Sequence, residues 1–446
     1  MARTEKKNVA LTMVEKLQVA IVPDIEQPHA IPENWCWTRV GQLCTLKNGR
    51  AFKPTDWVKT GIPIVRIQNL NDPDSEYNYF DGAVSDDNRL YGGELLFAWS
   101  GTPGTSFGAH IWQGKVAVLN QHIYRVDFDE NTINKAFFMY AINQQLEMLI
   151  SVAHGGAGLQ HVTKGVFEST PIPLPPYQEQ QRIVDRIESL FAKLDEAKEK
   201  AQAVVDGFED RRAAILYQAF AGLLTRAWAN KHGIPETSWR KKCFDEVAVI
   251  KSNLVDPAEF QNFPHIAPDN IEKKTGRLLE YHTIAEDGMK SGKHRFYPGQ
   301  ILYSKIRPNL SKVVIVDFDG LCSADMYPIE SKEGVNTKYL WYYMLSEEFL
   351  LQASTAGSRS VLPKINQKEL TQLTVRVTDP LEQEKIVATL DQLFEKEQQI
   401  KDNAEQSLEQ IEGIKKAILA RAFRGELGTN DPNDENAIEL LKKTDK

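Results

Sequence analysis

The sequence Glu179-Gln-Gln-Arg-Ile-Val184 returns in nearly the same form as Glu382-Gln-Glu-Lys-Ile-Val387, an offset of 203 residues in a chain of 446. The offset is kept without a gap over about forty residues. It relates Leu190-Phe191 to Leu393-Phe394, Ala214-Ile-Leu216 to Ala417-Ile-Leu419, and Ala219-Phe220 to Ala422-Phe423. A match of this length indicates an internal duplication, and a duplication constrains the whole architecture.

Both copies of the repeated stretch predict a long helix with a narrow apolar stripe. The apolar residues alternate spacings of four and three, which is the seam of a left-handed coiled coil. Prolines precede each helix and a glycine follows it, Gly222 or Gly425, as start and stop signals predict. At 1.5 Å per residue, about forty residues give a rod of roughly 60 Å. The predicted seam residues are Ile183, Ile187, Leu190, Leu194 and Phe208 in the first copy, and Ile386, Leu390, Leu393, Ile400 and Ile411 in the second.

Two polar residues, Glu397 and Ser407, interrupt the second seam. Polar seam positions often fix the pairing register rather than add stability. The alternative is that each helix packs on its own domain as an ordinary surface helix. A narrow seam kept for about six heptads favours the coiled coil, because a helix lying on a globule buries a wider face.

The segments before the two helices echo each other more faintly and predict two mixed α/β domains. Residues 35–47 resemble 239–251, and Gly93-Glu-Leu-Leu-Phe97 resembles Gly299-Gln-Ile-Leu-Tyr303. Short β-branched and aromatic runs between Gly, Pro, Asn and Asp predict short strands. The fold class is therefore mixed α/β, with two globular domains that alternate with two long helices in a pseudo-twofold internal repeat.

The predicted boundaries follow from the same pattern. The segments are an extension at 1–30, a domain at 31–176, a helix at 177–226, a domain at 227–380, a helix at 381–427 and a tail at 428–446. The extension allows a short amphipathic helix in about its first twenty residues. The tail is rich in Asn and Asp and is expected to be mobile.

Composition and charge set outer limits on function. A net charge of −8 argues mildly against nucleic acid, since non-specific DNA binders are usually basic, but it leaves room for a local basic groove. No run approaches the ~18 apolar residues of a membrane span, and the charged N-terminus is not a signal peptide. The four cysteines form no CxxC pair and the nine histidines no HExxH pair, so no metal site is expected and a reducing cytoplasm fits. A generic acidic cytoplasmic protein remains the plain alternative.

Three stretches imitate catalytic motifs without the chemistry that those motifs require. Leu174-Pro-Pro-Tyr177 resembles the loop of amino-methyltransferases, but leucine cannot accept a hydrogen bond from the target amine. Pro268-Asp269 with Glu272-Lys-Lys274 resembles a nuclease set, but two intervening residues cannot turn one strand back onto another. Gly101-Thr-Pro-Gly-Thr-Ser-Phe-Gly108 lacks the Gly-Lys-Ser/Thr end of a phosphate-binding loop. The sequence therefore predicts no catalytic residue and no cofactor in this chain.

Polar loops at matching places in the two domains carry the residue types that read DNA. Base edges are read by hydrogen bonds, while phosphate contacts set position. The candidates are Ser100, Thr102, Thr105, Ser106, Gln160, His161 and Lys164 in the first domain, and Lys305, Arg307, Asn309, Lys312, Arg359 and Lys364 in the second. A framework that is kept while its loops differ fits two readers of different half-sites.

The residue types suggest different roles within these loops. Arg307 and Arg359 suit bidentate contacts to guanine. Asn309 and Gln160 suit adenine, and the lysines suit phosphate. For any single residue, a solvated surface charge is the alternative interpretation.

The order of domain, helix, domain, helix resembles the specificity subunits of type I restriction enzymes over nearly the whole chain. The resemblance rests on PLPPYQEQQRIV (173–184) with AILYQAFAGLL (214–224), and on their echoes DPLEQEKIV (379–387) and AILARAFRGEL (417–427). GGELLFAWSGTPG (92–104) and GQILYSKIRPNLSK (299–312) are also typical of such domains. The extension at 1–30 departs from the pattern, because many members lack it.

The resemblance implies a DNA reader without a catalytic site. Each domain would be a target-recognition domain that reads one part of a split, asymmetric target in double-stranded DNA. The helices would pack antiparallel as a ruler, with half-sites near one helical turn apart, ~34–36 Å. Two methylation subunits would supply S-adenosylmethionine, adenine-N6 methyl transfer and base flipping. Two restriction subunits would add ATP-driven translocation and Mg²⁺-dependent cleavage.

Two other functions stay open from the sequence. One is an orphan DNA methyltransferase or nuclease, which would modify or cut DNA by itself. The other is a coiled-coil scaffold that does not bind DNA.

Overall fold

The computed structural model of the chain describes residues 13–72, 74–101, 107–156, 159–357 and 363–443. They form two compact units. Unit 1 consists of Met1–Lys198 together with Glu409–Lys446, and unit 2 consists of Glu199–Leu408. Each unit combines one α/β domain with parts of both long helices, which confirms the mixed α/β class and the alternation of domains and helices.

The elements of unit 1 come first along the chain. Its helices are α1 (Met13–Ala20), α2 (Val40–Leu43), α3 (Ile67–Asn71), α4 (Lys135–Gln144), α5 (Leu146–Ser151), α6 (Lys164–Ser169) and most of α7 (Tyr177–Asp206). Its strands are β1 (Cys36–Arg39), β2 (Cys44–Asn48), β3 (Ile62–Val65), β4 (Asn78–Phe80), β5 (Arg89–Leu90), β6 (Leu95–Ala98), β7 (Ser100–Gly101), β8 (Gly108–Ile111), β9 (Ala117–Leu119), β10 (Ile123–Phe128), β11 (His154–Gly156), β12 (Leu159–His161) and β13 (Pro171–Leu174).

Unit 2 repeats much of this order. Its helices are α8 (Phe208–Phe220), α9 (Arg226–Lys231), α10 (Phe244–Val247), α11 (Thr337–Met344), α12 (Glu347–Ala356), α13 (Gln367–Thr371) and the first part of α14 (Pro380–Ala422), whose remainder belongs to unit 1 with α15 (Ile438–Lys443). Its strands are β14 (Arg240–Cys243), β15 (Ala248–Ile250), β16 (Leu254–Val255), β17 (Pro264–Ile266), β18 (His282–Thr283), β19 (Lys293–Phe296), β20 (Ile301–Ser304), β21 (Val313–Ile315), β22 (Gly320–Cys322), β23 (Met326–Ser331) and β24 (Thr374–Val377).

Both units are built on the same four-stranded antiparallel sheet. Its order is β2-β10-β6-β8 in unit 1 and β15-β23-β20-β21 in unit 2. The inner strands β6 and β20 are buried at every residue, because side chains alternate between two covered faces. Leu95 and Phe97 join the main core with the helices, and Leu96 joins a separate core on the other face. The same alternation separates Ile301 from Leu302 in unit 2.

Smaller sheets complete each unit. A second sheet runs β4-β3-β9-β5 in unit 1 and β16-β19-β22-β17-β18 in unit 2, and each contains one parallel pair. The two-stranded pairs β1-β13 and β14-β24 close each domain beside its long helix. Unit 1 has a further three-stranded sheet, β11-β12-β7.

The repeated glutamine at the start of each long helix explains why the motif recurs. Gln180 accepts a hydrogen bond from the Asn134 backbone N–H at 2.8 Å, and Gln383 accepts one from the Asn336 N–H at 2.9 Å. Both glutamines are buried. Because a buried amide must be hydrogen-bonded, each domain requires the same residue at the same turn of its helix.

The long helices pack against each other in opposite directions within unit 1. Lys198 Nζ lies 3.1 Å from Glu412 Oε1, and Lys415 Nζ lies 2.6 Å from Asp195 Oδ1. The Lys415 ammonium also lies 5.2 Å from the centroid of the Phe191 ring. Numbers fall on α14 as they rise on α7, so the two helices are antiparallel here.

The same antiparallel pairing continues within unit 2. Arg211 Nε donates to Glu397 Oε2 at 2.8 Å, which gives the polar seam position a charged partner. The Arg212 guanidinium lies 3.9 Å from the Phe394 ring centroid, the equivalent of the lysine over Phe191 in unit 1. Arg212 is 9% exposed. The helices are thus held by matched cation–π contacts and ion pairs as well as by the apolar seam.

Most of the predicted seam is buried, with one error. Ile183, Ile187, Ile386, Leu390, Phe208 and Ile411 are buried, and Leu190, Leu194 and Leu393 are partly buried. The placement of Ile400 in the seam is wrong, since it is 47% exposed. The neighbouring Lys401 takes its place, with the ammonium 4.9 Å from the Phe208 ring centroid.

The first long helix is not continuous, contrary to the expectation of one rod over 177–226. It breaks at Gly207, between α7 and α8. The Arg211 side chain folds back over this residue, and its Nη2 donates to the Val204 carbonyl at 2.9 Å. A Cβ at position 207 would lie 2.7 Å from Arg211 Nη1, so a larger residue here would move the end of the arginine side chain.

The C-terminal segment through residue 443 packs on unit 1, so the expectation of a mobile tail is wrong for its described part. The Thr429 hydroxyl donates to Glu179 Oε1 at 2.7 Å. Arg182 donates to Glu179 and to Asp434. Glu179 is 0% exposed, and a buried carboxylate without partners is costly. The segment therefore completes the start of α7.

We expect that removing residues 429–446 will unfold unit 1 at a lower temperature. Ala437, Leu440 and Leu441 are buried in the core of unit 1, and their loss together with the Glu179 partner should cost on the order of 5 kcal/mol. That is a fall of about 10 °C or more in Tm for a unit of this size. Scanning calorimetry measures it. Lys443→Ala, which removes only an exposed ion pair 3.5 Å long, is the control and should leave Tm unchanged. An unaltered Tm in the truncated chain would contradict the assignment.

Candidate DNA interface

The polar loops singled out from the sequence lie side by side in each unit. Ser100 and His161 are register partners of β7 and β12 in unit 1. Ile306 and Lys364 form a β-bridge in unit 2. Stretches that are distant in sequence therefore share one edge of each domain, as two parts of one contact surface must.

Several candidates fall where side chains are not described. Thr102, Thr105, Ser106 and Arg359 lie outside the described residues. Gln160 is placed by its backbone in β12, opposite Gly101. These five residues stay predictions.

Arg307 and Ser311 bracket a tight turn with an unusual backbone. Arg307 has φ 47° and Ser311 has φ 46°, both left-handed, on either side of the 3₁₀ turn Pro308–Leu310. The Arg307 N–H donates to the Pro363 carbonyl at 2.8 Å, and the Ser311 N–H donates back into the turn at 3.0 Å. A left-handed backbone costs a residue with a Cβ roughly 1–2 kcal/mol. The surroundings hold the turn in this one shape, and such strain tends to cluster at functional sites.

Two polar side chains are presented by this turn. Arg307 and Asn309 are exposed, and neither side chain forms a hydrogen bond or ion pair with the described part of the chain. Pro308 and Ser311, by contrast, are buried. A guanidinium and an amide on a rigid backbone suit base reading, since the bidentate geometry is set before DNA arrives.

The lysines differ in how free their ammonium groups are. Lys312 Nζ donates to the Pro268 carbonyl at 2.7 Å, and its side chain is only 17% exposed. It therefore fastens a neighbouring turn, and the phosphate contact expected of it does not fit. Lys164 is 54% exposed and lies 3.6 Å from Glu168 across one helical turn, which leaves it accessible to phosphate.

Ser100 also departs from its expected role. Ser100 is only 2% exposed, so its hydroxyl is not available to a base edge. Its neighbour across the strands, His161, is partly exposed and can reach a ligand. Of the described first-domain candidates, His161 and Lys164 thus keep accessible side chains.

The sequence reasoning missed three side chains at this edge: Trp99, His122 and Asp325. The centroid of the Trp99 ring lies 5.3 Å from that of His122 and 5.8 Å from that of His161. Burial lowers the pKa of His122, and the charge of His161 lowers it further. The offset of 203 residues relates His122 to Asp325, so the repeat itself carried the signal.

Two of the three stretches that imitate catalytic motifs have structural roles, and the third, 101–108, lies mostly outside the described residues. Leu174 ends strand β13 and is 1% exposed. Pro268–Asn270 is a 3₁₀ turn that Asn270 caps by accepting the Ala267 N–H at 2.8 Å. Among the residues that the structure describes, no group of three or more His, Cys, Asp or Glu side chains is arranged to hold a metal ion. No described helix has both the length and the apolar character to cross a membrane.

The chain matches one protein family twice. The type I restriction modification DNA specificity domain matches residues 32–205 and again residues 237–410. The EcoDI type I restriction enzyme specificity subunit of Escherichia coli is 33% identical over 422 residues, which cover 89% of each chain. The EcoBI specificity subunit of the same organism is 25% identical over 431 residues, 89% of this chain and 87% of that one.

Solved structures share the fold. The HsdS subunit from Thermoanaerobacter tengcongensis superposes with a TM-score of 0.61 at 18% identity, covering 90% of this chain and 100% of that one. A chain from a structure of complex assembly and conformational transition in the type I R-M system gives a TM-score of 0.64 at 19% identity, with the same coverage. At these identities, the likeness concerns the arrangement of elements.

Proposed function

The chain belongs to the type I restriction modification DNA specificity family, and from that membership we propose that it is the DNA-reading subunit of a type I restriction-modification enzyme without a catalytic site of its own. The observation that carries the proposal is one backbone frame built twice with different polar side chains at the same edge. A duplicated frame with altered contacts is what a bipartite, asymmetric target requires.

In this proposal, residues 31–176 and 227–380 are the two target-recognition domains. Arg307 and Asn309 read base edges in one half-site, and Arg359, outside the described residues, is proposed to read the same half-site. Gln160 and His161 belong to the reading edge of the other domain. The lysines proposed to contact phosphate are Lys164 and Lys364, which are 54% and 42% exposed, and Lys305, which is 24% exposed and also donates to the Ala324 carbonyl.

The helices at 177–226 and 381–427 set the spacer between half-sites and form the framework for partner subunits. Two methylation subunits would bring S-adenosylmethionine, and two restriction subunits would bring ATP and Mg²⁺. Partner binding also addresses the net charge of −8, which by itself opposes approach to DNA. The assembly would act in the cytoplasm, where its DNA is.

The proposal predicts that methylation needs both this chain and its partners. The purified chain with DNA and labelled S-adenosylmethionine is expected to transfer no methyl group above background. The chain reconstituted with methylation subunits is expected to methylate adenine at one bipartite sequence, because the chain supplies selection and the partners supply chemistry. Sequencing of modified adenines identifies that sequence.

Two outcomes of this experiment would contradict the proposal. Methyl transfer or cleavage by the chain alone would identify an orphan enzyme. A complex that assembles but neither shifts duplex DNA in a gel nor selects a sequence would identify a scaffold.

A further inference from the structure

Three positions at the reading edge are equivalent in the two units by their backbone hydrogen bonds. In unit 1 the Trp99 N–H donates to the His122 carbonyl at 3.2 Å, and in unit 2 the Lys305 N–H donates to the Asp325 carbonyl at 2.9 Å. The Trp99 carbonyl accepts the N–H of Val162, the residue after His161, at 2.9 Å. The Lys305 carbonyl accepts the N–H of Ile365, the residue after Lys364, also at 2.9 Å. The equivalent pairs are Trp99 with Lys305, His122 with Asp325, and His161 with Lys364.

A buried tyrosine lies beneath these positions in both units. Tyr124 in unit 1 and Tyr327 in unit 2 are both buried and sit on the matching strands β10 and β23. The Trp99 ring stacks on Tyr124 with centroids 5.5 Å apart. The Lys305 ammonium lies 5.5 Å from the Tyr327 ring centroid. The same aromatic platform therefore carries an indole in one unit and a cation in the other.

Unit 2 builds a charged cluster on this platform. Lys305 Nζ lies 3.8 Å from Asp325 Oδ1, and Lys364 Nζ lies 3.4 Å from the same oxygen. The side chains are 24%, 42% and 42% exposed for Lys305, Asp325 and Lys364. One carboxylate beside two ammonium groups leaves a net positive charge at the edge. Asp325 accepts a hydrogen bond from Lys364 at 3.4 Å, and Lys305 Nζ also donates to the Ala324 carbonyl at 2.5 Å.

Unit 1 builds a cluster without permanent charge at the same three positions. His122 and His161 both lie beside the Trp99 ring, and Gln121 Nε2 is 3.2 Å from His122 Nε2. The Nδ1 atoms of both histidines are buried without a hydrogen-bond partner in the described residues. A buried ring nitrogen without a partner is costly, and a ligand bound at this edge can change the polar surroundings of both rings.

We propose that these three positions are DNA contacts in both units, at which unit 2 binds phosphate through Lys305 and Lys364 and unit 1 binds through His122 and His161. The inference rests on the proposed function, because it assumes that both edges face DNA. Asp325 is a positioning residue for the two lysines. The two half-sites would then be bound by chemically different contacts within one backbone frame.

The histidines of unit 1 should make DNA affinity depend on pH in a known direction. A phosphate beside the His122 imidazole favours its protonated form, so DNA raises the pKa of His122 and affinity for the unit 1 half-site grows as pH falls. Among the described residues, His122 interacts electrostatically with His161, and Tyr124 beneath Trp99 interacts with Glu168. His154 is the register partner of His161 on β11. Glu168 and Lys164 pair with each other, and Tyr124 is neutral in this range. The gain in affinity therefore comes from the histidines.

The test uses the methylation complex reconstituted with the full chain and a duplex carrying the target found by adenine mapping. Affinity is measured by fluorescence anisotropy from pH 8 to about pH 6 at fixed ionic strength. The wild-type complex should bind about tenfold more tightly at the lower pH. His122→Asn with His161→Asn should flatten this profile, whereas His232→Asn, at an exposed histidine of unit 2, should leave it unchanged.

Salt dependence tests unit 2 in the same assay. Lys305→Met with Lys364→Met should lower the slope of log affinity against log salt at pH 8 by about 1–2, and the histidine pair should leave that slope unchanged. Asp325→Asn should raise affinity for a scrambled duplex about tenfold, since it removes the one negative charge that offsets the two lysines. Unaltered pH and salt profiles in a complex that still selects its target would overturn this inference alone. A wild-type complex that selects no duplex would overturn the proposed function instead.

Discussion

Arg307→Gly is expected to remove recognition of one half-site while leaving the protein at least as stable. The left-handed backbone at φ 47° strains any residue with a Cβ, and glycine relieves about 1 kcal/mol of that strain. The exposed guanidinium is lost at the same time. A bidentate contact to guanine is worth about 1–3 kcal/mol of discrimination, so affinity for the full target should fall about 10–100-fold.

The measurement compares duplexes that differ at single base pairs. Preference at one or two neighbouring positions in one half-site should disappear, and preference throughout the other half-site should persist. Thermal unfolding should show an equal or higher Tm. The combination is diagnostic, because a substitution that acts by damaging the fold lowers stability and affinity together.

Ser311→Gly is the matched control for Arg307→Gly. Its backbone is left-handed in the same turn at φ 46°, but its side chain is buried. The change should raise Tm by a similar amount and leave base preference intact. If the two variants lost affinity equally, or if Arg307→Gly weakened both half-sites alike, Arg307 would be a framework residue.

The duplicated helices could be predicted because one set of residues serves both copies. Gln180 and Gln383 make the same buried bonds to their domains, so the chain repeats them in register. The apolar seam follows from spacing alone at Ile183, Ile187 and Ile386. Local spacing and recurrence can be read from the sequence, and the fold class was predicted from them.

Other features depend on contacts that spacing does not encode. Ile400 fits the seam by number, yet a cation–π contact from Lys401 takes that place. The break at Gly207 depends on how Arg211 folds back to Val204. Burial of the C-terminal segment depends on Glu179, a residue 250 positions away from its partner Thr429.

The DNA-contacting residues could be predicted only in part, for the same reason. Arg307 and Asn309 were identified by residue type, but a left-handed arginine cannot be recognised from sequence, where glycine or asparagine would be expected. Lys312 looked like its neighbours until its bond to the Pro268 carbonyl placed it in a structural role. Residue type gives a candidate, and only the surrounding bonds decide whether its polar group is free.

Lengthening both helices by one heptad is expected to abolish methylation of the original target. The insertion copies residues 192–198 after position 198 and residues 411–417 before position 411. The inserted heptads then face each other and repeat the pairs Lys198–Glu412 and Lys415–Asp195 in register. Seven residues add about 10 Å of helix, or about three base pairs. Since one turn of DNA spans ~34–36 Å, three base pairs also rotate the second half-site by roughly a hundred degrees. A misplacement of this size should cost at least about 100-fold in the rate of methyl transfer.

Selection from a library of spacer lengths shows whether the helices set the distance. The paired insertion should recover activity only on spacers that differ from the original, or on none. The control is the same heptad in one helix alone, which shifts Asp195 away from Lys415 and should lower Tm as well as abolish methylation at every spacing. A paired insertion that still methylates the original target at the wild-type rate would show that helix length does not set the distance between half-sites.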